Sequence, residues 1–536
     1  MEISSKAIYI LLISTISAAI CLAYIINRQQ IKHSHNRYIS ISQIDITILA
    51  FFTYALINII FVREAPLQYE TIAGITLSLI VYLICRNLRN QKIIINVLII
   101  YAIFESLIAY LQAFGYITSN HRLFSITGTF GNPGQLGCIL AIGISIAIYE
   151  FIYNRHALYR VFTMASMLFI SGALFLSNSR ASWIASIIGI YCILYPVLKK
   201  LIPRITLFAI STIIISGIFS VLYLYKKPSA DGRLLIWKVT VKMIAESPIV
   251  GHGIGSFSNK YMYYQADYFK NNNTGPAETA DNIIYPYNET LRIAAEMGVI
   301  GCVFIIAISF LIISLMKKYN YYNTIFAILY IVVFIYSLFS YPLSVACLYI
   351  LYPAIIGAIK VNNNVNISIR PMSNICAAGA IILMINLYIT YNHDVKVLSS
   401  NTINSYYKIR ILQSPRFINS YSYTILADTN DIRKLEILRT AAQVSPSSDL
   451  FCDIGDYYYA TKQLDKADSC YTLAHFMVPL RITPLYKRFV IAKTTHDIEK
   501  AKLIARKIVF GQYKIVSTRT IAMKHNAKEF LQLIEQ

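Results

Sequence analysis

The run INVLIIYAIFESLIAYLQAF (95–114) is long and apolar enough to cross a bilayer as a helix, at roughly 20 residues per span. The pattern recurs along the chain. Twelve spans are read at 7–27, 41–62, 70–86, 93–115, 135–153, 160–177, 181–198, 204–225, 294–316, 322–341, 343–360 and 374–392. Backbone in hydrocarbon must satisfy its own hydrogen bonds, so such runs are helices. The expected fold class is all-α: a polytopic membrane bundle of about 12 transmembrane helices, then a small α-helical repeat domain. Only 14% of the residues are charged, against about a quarter in soluble domains, and 56% are hydrophobic. The first run lacks a basic leading segment and exceeds an h-region of about 7 to 15 residues, unlike a cleaved signal.

The net charge of +22 needs no nucleic acid to explain it. Loops after spans 1, 3, 5, 7, 9 and 11 hold fifteen Lys and Arg, whereas the short loops after spans 2, 4, 6 and 10 hold three: Arg63, Arg122 and Arg180. The positive-inside rule puts the first set in the cytoplasm. The 226–293 segment and the tail then lie outside it, provided the span count is even. Seven of nine cysteines fall in or beside spans as small apolar packing residues; Cys452 and Cys470 lie in the tail.

Four regions follow: a membrane bundle (1–225), an outer loop with short helices on the membrane surface (226–293), further membrane helices (294–392), and a tail (393–536). In WKVTVKMIAESPIV (237–250), Val239, Met243 and Ile244 repeat at helical spacing. In the tail, Phe451, Ile454, Gly455, Tyr458, Ala467, Tyr471, Ala474 and Pro479 resemble the tetratricopeptide pattern. It requires two helices close together at Gly455 and Ala467. Ala501 and Ala505 begin a second unit 34 residues on, and KLEILRTAAQVSP (434–446) resembles the end of a preceding one, giving about three hairpins. The tail is either a stabilising appendage or a concave surface for a protein or glycan partner.

Charged and strongly polar residues beside spans are functional candidates by default. Gly128-Thr129-Phe130-Gly131-Asn132-Pro133-Gly134 cannot propagate a helix and reads as a re-entrant turn or a plain loop. Ser177-Asn178-Ser179-Arg180 leaves almost no loop between spans, so Arg180 either snorkels or holds an anion. Arg233 offers a planar fork for phosphate. Gly251-His252-Gly253-Ile254-Gly255 allows close backbone approach to a ligand, with His252 either a binding group or a plain loop residue. In YNETLRIAAEMGVIG (287–301), Asn288 and Glu289 suit a helix N-terminus. Capping leaves Arg292 and Glu296 unexplained. With Glu289 they share one helix face, as a structural ion pair or as catalytic groups.

Taken in order, GTFGNP (128–133), SRASW (179–183), GRLLIW…SPIVGHGIGSF (232–257) and YNETLRIAAEMGVIG (287–301) make the chain resemble the O-antigen ligase and O-antigen polymerase superfamily of bacterial envelope glycosyltransferases, over roughly 120–345. The family's last motif is a His-Asn pair, nine residues, then Gly-x-x-Gly. Asn288, Gly298 and Gly301 keep that spacing, and Tyr287 stands at the histidine position. The resemblance implies transfer of an undecaprenyl-pyrophosphate-linked glycan to an acceptor glycan, lipid or protein. The site would lie on the periplasmic face of a bacterial inner membrane, among membrane lipids. Glu289, Glu296 and Tyr287 are then the catalytic candidates. Arg180, Arg233, Asn288, Arg292, His252 and Asn132 are the binding candidates. No D-x-D cluster appears in the outer segment, so neither metal nor cofactor is expected. Alternatives are a lipid-linked glycan transporter and a non-catalytic scaffold that binds proteins through its repeat tail; Tyr287 keeps the scaffold open.

Overall fold

The structure, a computed structural model, describes residues 39–40, 42–63, 69–88, 90–121, 123–272, 276–316, 320–361, 366–367 and 434–535. The spans read at 7–27 and 374–392 fall outside them.

The chain is an all-helical polytopic membrane protein. The helices of its first half are α1 (Gln43–Phe61), α2 (Tyr69–Asn87), α3 (Lys92–Ala113), α4 (Pro133–Tyr153), α5 (Ala157–Leu176), α6 (Arg180–Leu201) and α7 (Arg204–Tyr225). Then come α8 (Lys227–Glu246), α9 (Phe257–Asn271), α10 (Glu289–Leu315), α11 (Tyr321–Ser337), α12 (Ala346–Tyr349) and α13 (Leu351–Ala358). Seven of these, α1, α3, α4, α5, α6, α7 and α10, are long and apolar enough to cross a membrane, and part of α2 (Leu77–Asn87) and the whole of α11 are shorter apolar helices. α4 is the bundle's centre. Residues Leu136–Ala147 of it are buried without a break, against α3, α5, α6 and α11. A two-residue antiparallel pairing joins Ile39–Ser40 to Asn366–Ile367.

Two expected spans differ in detail. The run at 343–360 is broken into a turn at Pro342–Ser344, then α12 and α13. Pro353 explains the second break, because it has no N–H for the Tyr349 carbonyl and its ring crowds that turn. The run read from 294 starts at Glu289 and is kinked at Gly298, whose φ of 65° is left-handed. The outer helix read at 237–250 is the 20-residue α8, which starts one residue after α7 ends. It buries Leu235, Ile236, Val239 and Met243.

The tail holds α14 (Lys434–Val444), α15 (Ser448–Ala460), α16 (Leu464–Met477), α17 (Ile482–Thr494), α18 (Ile498–Phe510) and α19 (Thr518–Glu535). α15 folds back on α16, and α17 on α18, through three-residue turns. A methyl at Gly455 would run into the Tyr471 ring, which is why a glycine serves there. Ala467, Ala501 and Ala505 are fully buried. Cys452 and Cys470 are free thiols.

The tail and the 226–293 segment share one core. Phe257, Tyr261, Met262 and Ala266 of α9 pack with Met477 and Val478 at the end of α16. Burying the larger of these side chains yields roughly 1.5–3 kcal/mol each, which fixes the tail helices on α9.

Candidate active site

Three of the four motif segments open helices and the third, from Gly232, lies within α8; contacts bring the starts of these four helices together. Asn132 caps α4, its Oδ1 accepting from the Gly134 N–H at 2.8 Å, with Pro133 at the first helical position. Asn288 caps α10, accepting from the Leu291 N–H at 3.0 Å. α6 begins at Arg180 and α8 at Lys227. Gly137 of α4 sits so close to Ser179 and Ser182 of α6 that a methyl group would collide with both. Arg180 Nη1 donates to the carbonyls of Leu222, at 2.8 Å, and Lys226, at 3.2 Å, where α7 passes into α8. Its Nη2 donates to Ser229 Oγ at 3.1 Å. Arg233, on α8, lies 5.5 Å over the Tyr287 ring, just before α10. Tyr287 meets Tyr341 edge-on at 5.2 Å, and Ser340 Oγ donates to Tyr336 Oη at 2.8 Å. A methyl at Gly134 would touch both Tyr336 and Ser340, which closes the ring of contacts. Helix N-termini carry partial positive charge and free N–H groups, so this convergence favours an anion.

Three full cations stand in the same place. Lys226 Nζ donates to the Asn178 carbonyl at 3.2 Å. Among the described residues, Arg180, Lys226 and Arg233 pair with no carboxylate. They act on one another instead. Burial first, then the neighbouring Arg180, pushes Arg233 below its ordinary value. Burial, Arg180 and Arg233 do the same to Lys226. Burial raises the Tyr287 hydroxyl, with Arg233 opposing, so at neutral pH it is a hydrogen-bond donor and no base. Asn178 and Tyr287 both take left-handed backbone, with φ of 51° and 54°. Such conformations cost energy in non-glycine residues and mark sites that the surrounding structure holds in place.

The remaining candidates sit differently. Glu289 Oε2 pairs with Arg292 Nε at 2.7 Å, and its Oε1 accepts from the Leu343 N–H at 2.8 Å. Arg292 Nη1 donates to Ser344 Oγ at 2.6 Å. This buried pair bolts α10 to the turn that ends at α12. Glu296 accepts from the Phe257 N–H at 3.3 Å and acts on the Arg63 guanidinium. His252 Nε2 lies 2.8 Å from the Met243 carbonyl, and its Nδ1 is 3.4 Å from Lys260 Nζ.

The glycine motif approaches its own chain closely. The N–H groups of His252 and Gly253 donate to the carbonyls of Ala295 and Glu296, both at 2.9 Å. The Val299 N–H returns to the Pro248 carbonyl at 2.8 Å. A methyl on Gly251, with φ 73°, would strike the backbone of Glu296 and Met297, and one on Gly298 would strike that of Ile249 and Val250. α1 completes the junction: Asn58 Nδ2 donates to the Val250 carbonyl at 2.9 Å, and Tyr54 Oη to the Met297 carbonyl at 2.8 Å. Arg63 donates to the Ile254 carbonyl. The kink at Gly298 is thereby locked, and with it the aim of the α10 N-terminus.

Glu105 and Gln112, on α3, were not singled out from the sequence. Glu105, fully buried, accepts from the Thr129 N–H at 3.0 Å and the Thr129 hydroxyl at 2.5 Å. Gln112 Oε1 accepts from the N–H groups of Thr127 and Gly128, and its Nε2 donates to the Gly128 carbonyl at 2.9 Å. Together they hold the turn that launches α4. A lone carboxylate in the middle of an apolar span was the available signal.

Residues 164–306 match the family model described as O-antigen ligase. The chain is 29% identical over 189 residues to a protein of Rickettsia conorii provisionally named a polysaccharide ligase, covering 31% of this chain and 42% of that one. A Rickettsia felis protein with the same provisional name is 30% identical over 201 residues, covering 34% and 46%. One from Rickettsia typhi is 31% identical over 142 residues, covering 24% and 33%. The chain thus spans less than half the length of the curated relatives it matches. No solved structure matches it. The matched segment holds Arg180, Arg233, Tyr287, Asn288 and the Gly298 kink, and leaves out Asn132. This part of a multi-pass helical membrane protein is therefore similar to the O-antigen ligases.

Proposed function

We propose that this chain is a glycosyltransferase that moves an oligosaccharide or polysaccharide from undecaprenyl pyrophosphate to a glycan, lipid or protein acceptor. It works on the periplasmic face of a bacterial inner membrane and without a metal. The observation that carries the reading is the group Arg180, Lys226 and Arg233, uncompensated by carboxylates among the described residues, at the meeting point of four helix N-termini.

In this reading the acceptor hydroxyl oxygen bonds to the anomeric carbon while the bond from that carbon to the pyrophosphate oxygen breaks. The electron pair leaves with the pyrophosphate, and the charge growing there is what the three cations stabilise. Tyr287 donates a hydrogen bond to a phosphate oxygen. The hydroxyl proton passes to water, since the engaged Glu289 and Glu296 serve to hold α10 rather than to take it. The tail helices, as a tetratricopeptide-like domain, lie beside the acceptor's path and offer a protein-binding surface.

The test is Arg233→Ala in the native host. Loss of the surface glycan at normal protein level is the expected result. An unchanged glycan profile would leave the scaffold or transporter reading in its place.

A further inference from the structure

The segment 280–288 runs from the tail helices to the cation site, and it is fastened at both ends. At the tail end, Asp281 Oδ2 accepts from Lys514 Nζ at 2.8 Å, and Arg481 lies 3.6 Å from Oδ1. Lys514 also donates to the Ala280 carbonyl at 3.3 Å. The Asn282 side chain accepts from the Ser448 N–H and donates to Asp449 Oδ2, both at 3.0 Å, so it caps α15 from outside. The fully buried Gln265 binds both strands of this junction, donating to the carbonyls of Asp281 at 3.0 Å and Met477 at 2.6 Å. At the site end, Trp237 Nε1 donates to the Pro286 carbonyl at 3.0 Å, and Tyr285 stacks on Tyr341 at 4.7 Å. Tyr287 follows under Arg233, in its left-handed conformation.

A residue held in left-handed backbone stays there only while its flanks are pinned. One flank, Asn288, is the cap of α10. The other leads within a few residues to Asp281, whose charge also acts on the Tyr287 hydroxyl. We propose that the tail helices position the cation site through this strap, with Asp281 as the positioning residue held by Lys514 and Arg481. The tail is then part of the site's scaffold as well as any partner's platform. This deepens the glycosyltransferase reading and rests on it for its functional consequence.

The experiment uses the full chain in detergent with Trp183→Phe, which leaves Trp237 as the sole tryptophan of the two in the sequence. Its emission reports the strap, and titration with geranyl pyrophosphate reports the cation site. Lys514→Glu sets a carboxylate against Asp281, and Lys514→Arg keeps the pair. The expected result for Lys514→Glu is a shifted Trp237 emission and binding weakened on the order of fivefold, with Lys514→Arg like wild type. Asp281→Asn gives the same direction with less disturbance, should Lys514→Glu fold poorly. Unchanged emission and affinity in both Lys514→Glu and Asp281→Asn would overturn the strap, while Arg233→Ala abolishing binding would leave the site standing. If the wild type binds no prenyl pyrophosphate, the functional reading fails, and the Trp237 emission alone then decides the strap.

Discussion

Two ends of the same bundle treat arginine in opposite ways. At the end where α1 starts and α2 finishes, Arg86 is buried against Asp45, with Nη2 at 2.8 Å from its carboxylate. That carboxylate also accepts from the Tyr82 hydroxyl at 2.5 Å and from the Ser42 N–H at 2.7 Å, in a capping box. Nη1 of Arg86 reaches the Ile359 carbonyl at 2.5 Å. The guanidinium charge is paired with a carboxylate within the chain. At the other end Arg180 and Lys226 bond to neutral carbonyls and Arg233 to the face of a ring. A carbonyl orients a guanidinium without cancelling its charge, so the charge stays available for a guest. Burial plus a partner is therefore architecture, whereas burial among like charges favours the approach of an anion.

The comparison can be broken most forcefully by exchanging the fates of the two ends. Arg233→Ala should cut glycan transfer by roughly 10²–10³-fold, the range for losing a preorganised charge contact in a transition state. Protein amount in the membrane should stay normal. Arg86→Ala should strand Asp45 and cost about 3–5 kcal/mol of stability. Its transfer loss should track the fall in protein amount, as quantitative blotting beside the glycan assay would show.

A second contrast separates glycine that is needed from glycine that is spare. Gly298→Ala puts a methyl into the Ile249 backbone at a left-handed position and should cost about 2–4 kcal/mol, read as a lowered Tm. Gly217, on α7, has open space around it, so Gly217→Ala should be neutral or raise stability by about 0.5–1 kcal/mol.

The tail gives a pH test that spares the site. Burial, with help from Arg488 and Lys507, pushes the His475 imidazole down to about 4. The unfolded ring titrates near 6.5. Between those values the unfolded chain binds more protons. Stability is thus full above about pH 6.5 and is lost as pH falls through it toward about 4, by roughly 3 kcal/mol. His475→Gln should flatten that part of the melting profile. At the site itself the smallest expected effect on transfer is Tyr287→Phe. It removes one hydrogen bond to phosphate and should lower transfer by about fivefold, whereas Tyr287→His should retain activity.

Much of this was legible in the residues. Among the described residues span positions followed from hydropathy, and three of the four short motifs lie at helix starts that contacts bring together. Asn288 read correctly as a helix cap because capping is local chemistry. The glycine motif misled in one respect: Gly251 and Gly298 allow a close approach, but each approaches the backbone beside the other, 47 positions apart along the chain. Glu289 and Arg292 were spaced for a pair, yet their link to Ser344 and Leu343 depends on a distant break in a span. Glu105 supports the Thr129 turn across 24 residues, which no periodicity reveals. Local preferences are written in neighbouring residues; the long-range partners are written only in the packing.

The central claim is that the charge at Arg233 is held in reserve for a pyrophosphate. Paired thermal melts of wild type and Arg233→Met, with and without geranyl pyrophosphate, test it most directly. Relief from Arg180 and Lys226 should leave the ligand-free variant melting at or above wild type, and the ligand should raise the Tm of wild type only. A ligand shift of equal size in both proteins, or a ligand-free variant that melts far below wild type, would contradict the account.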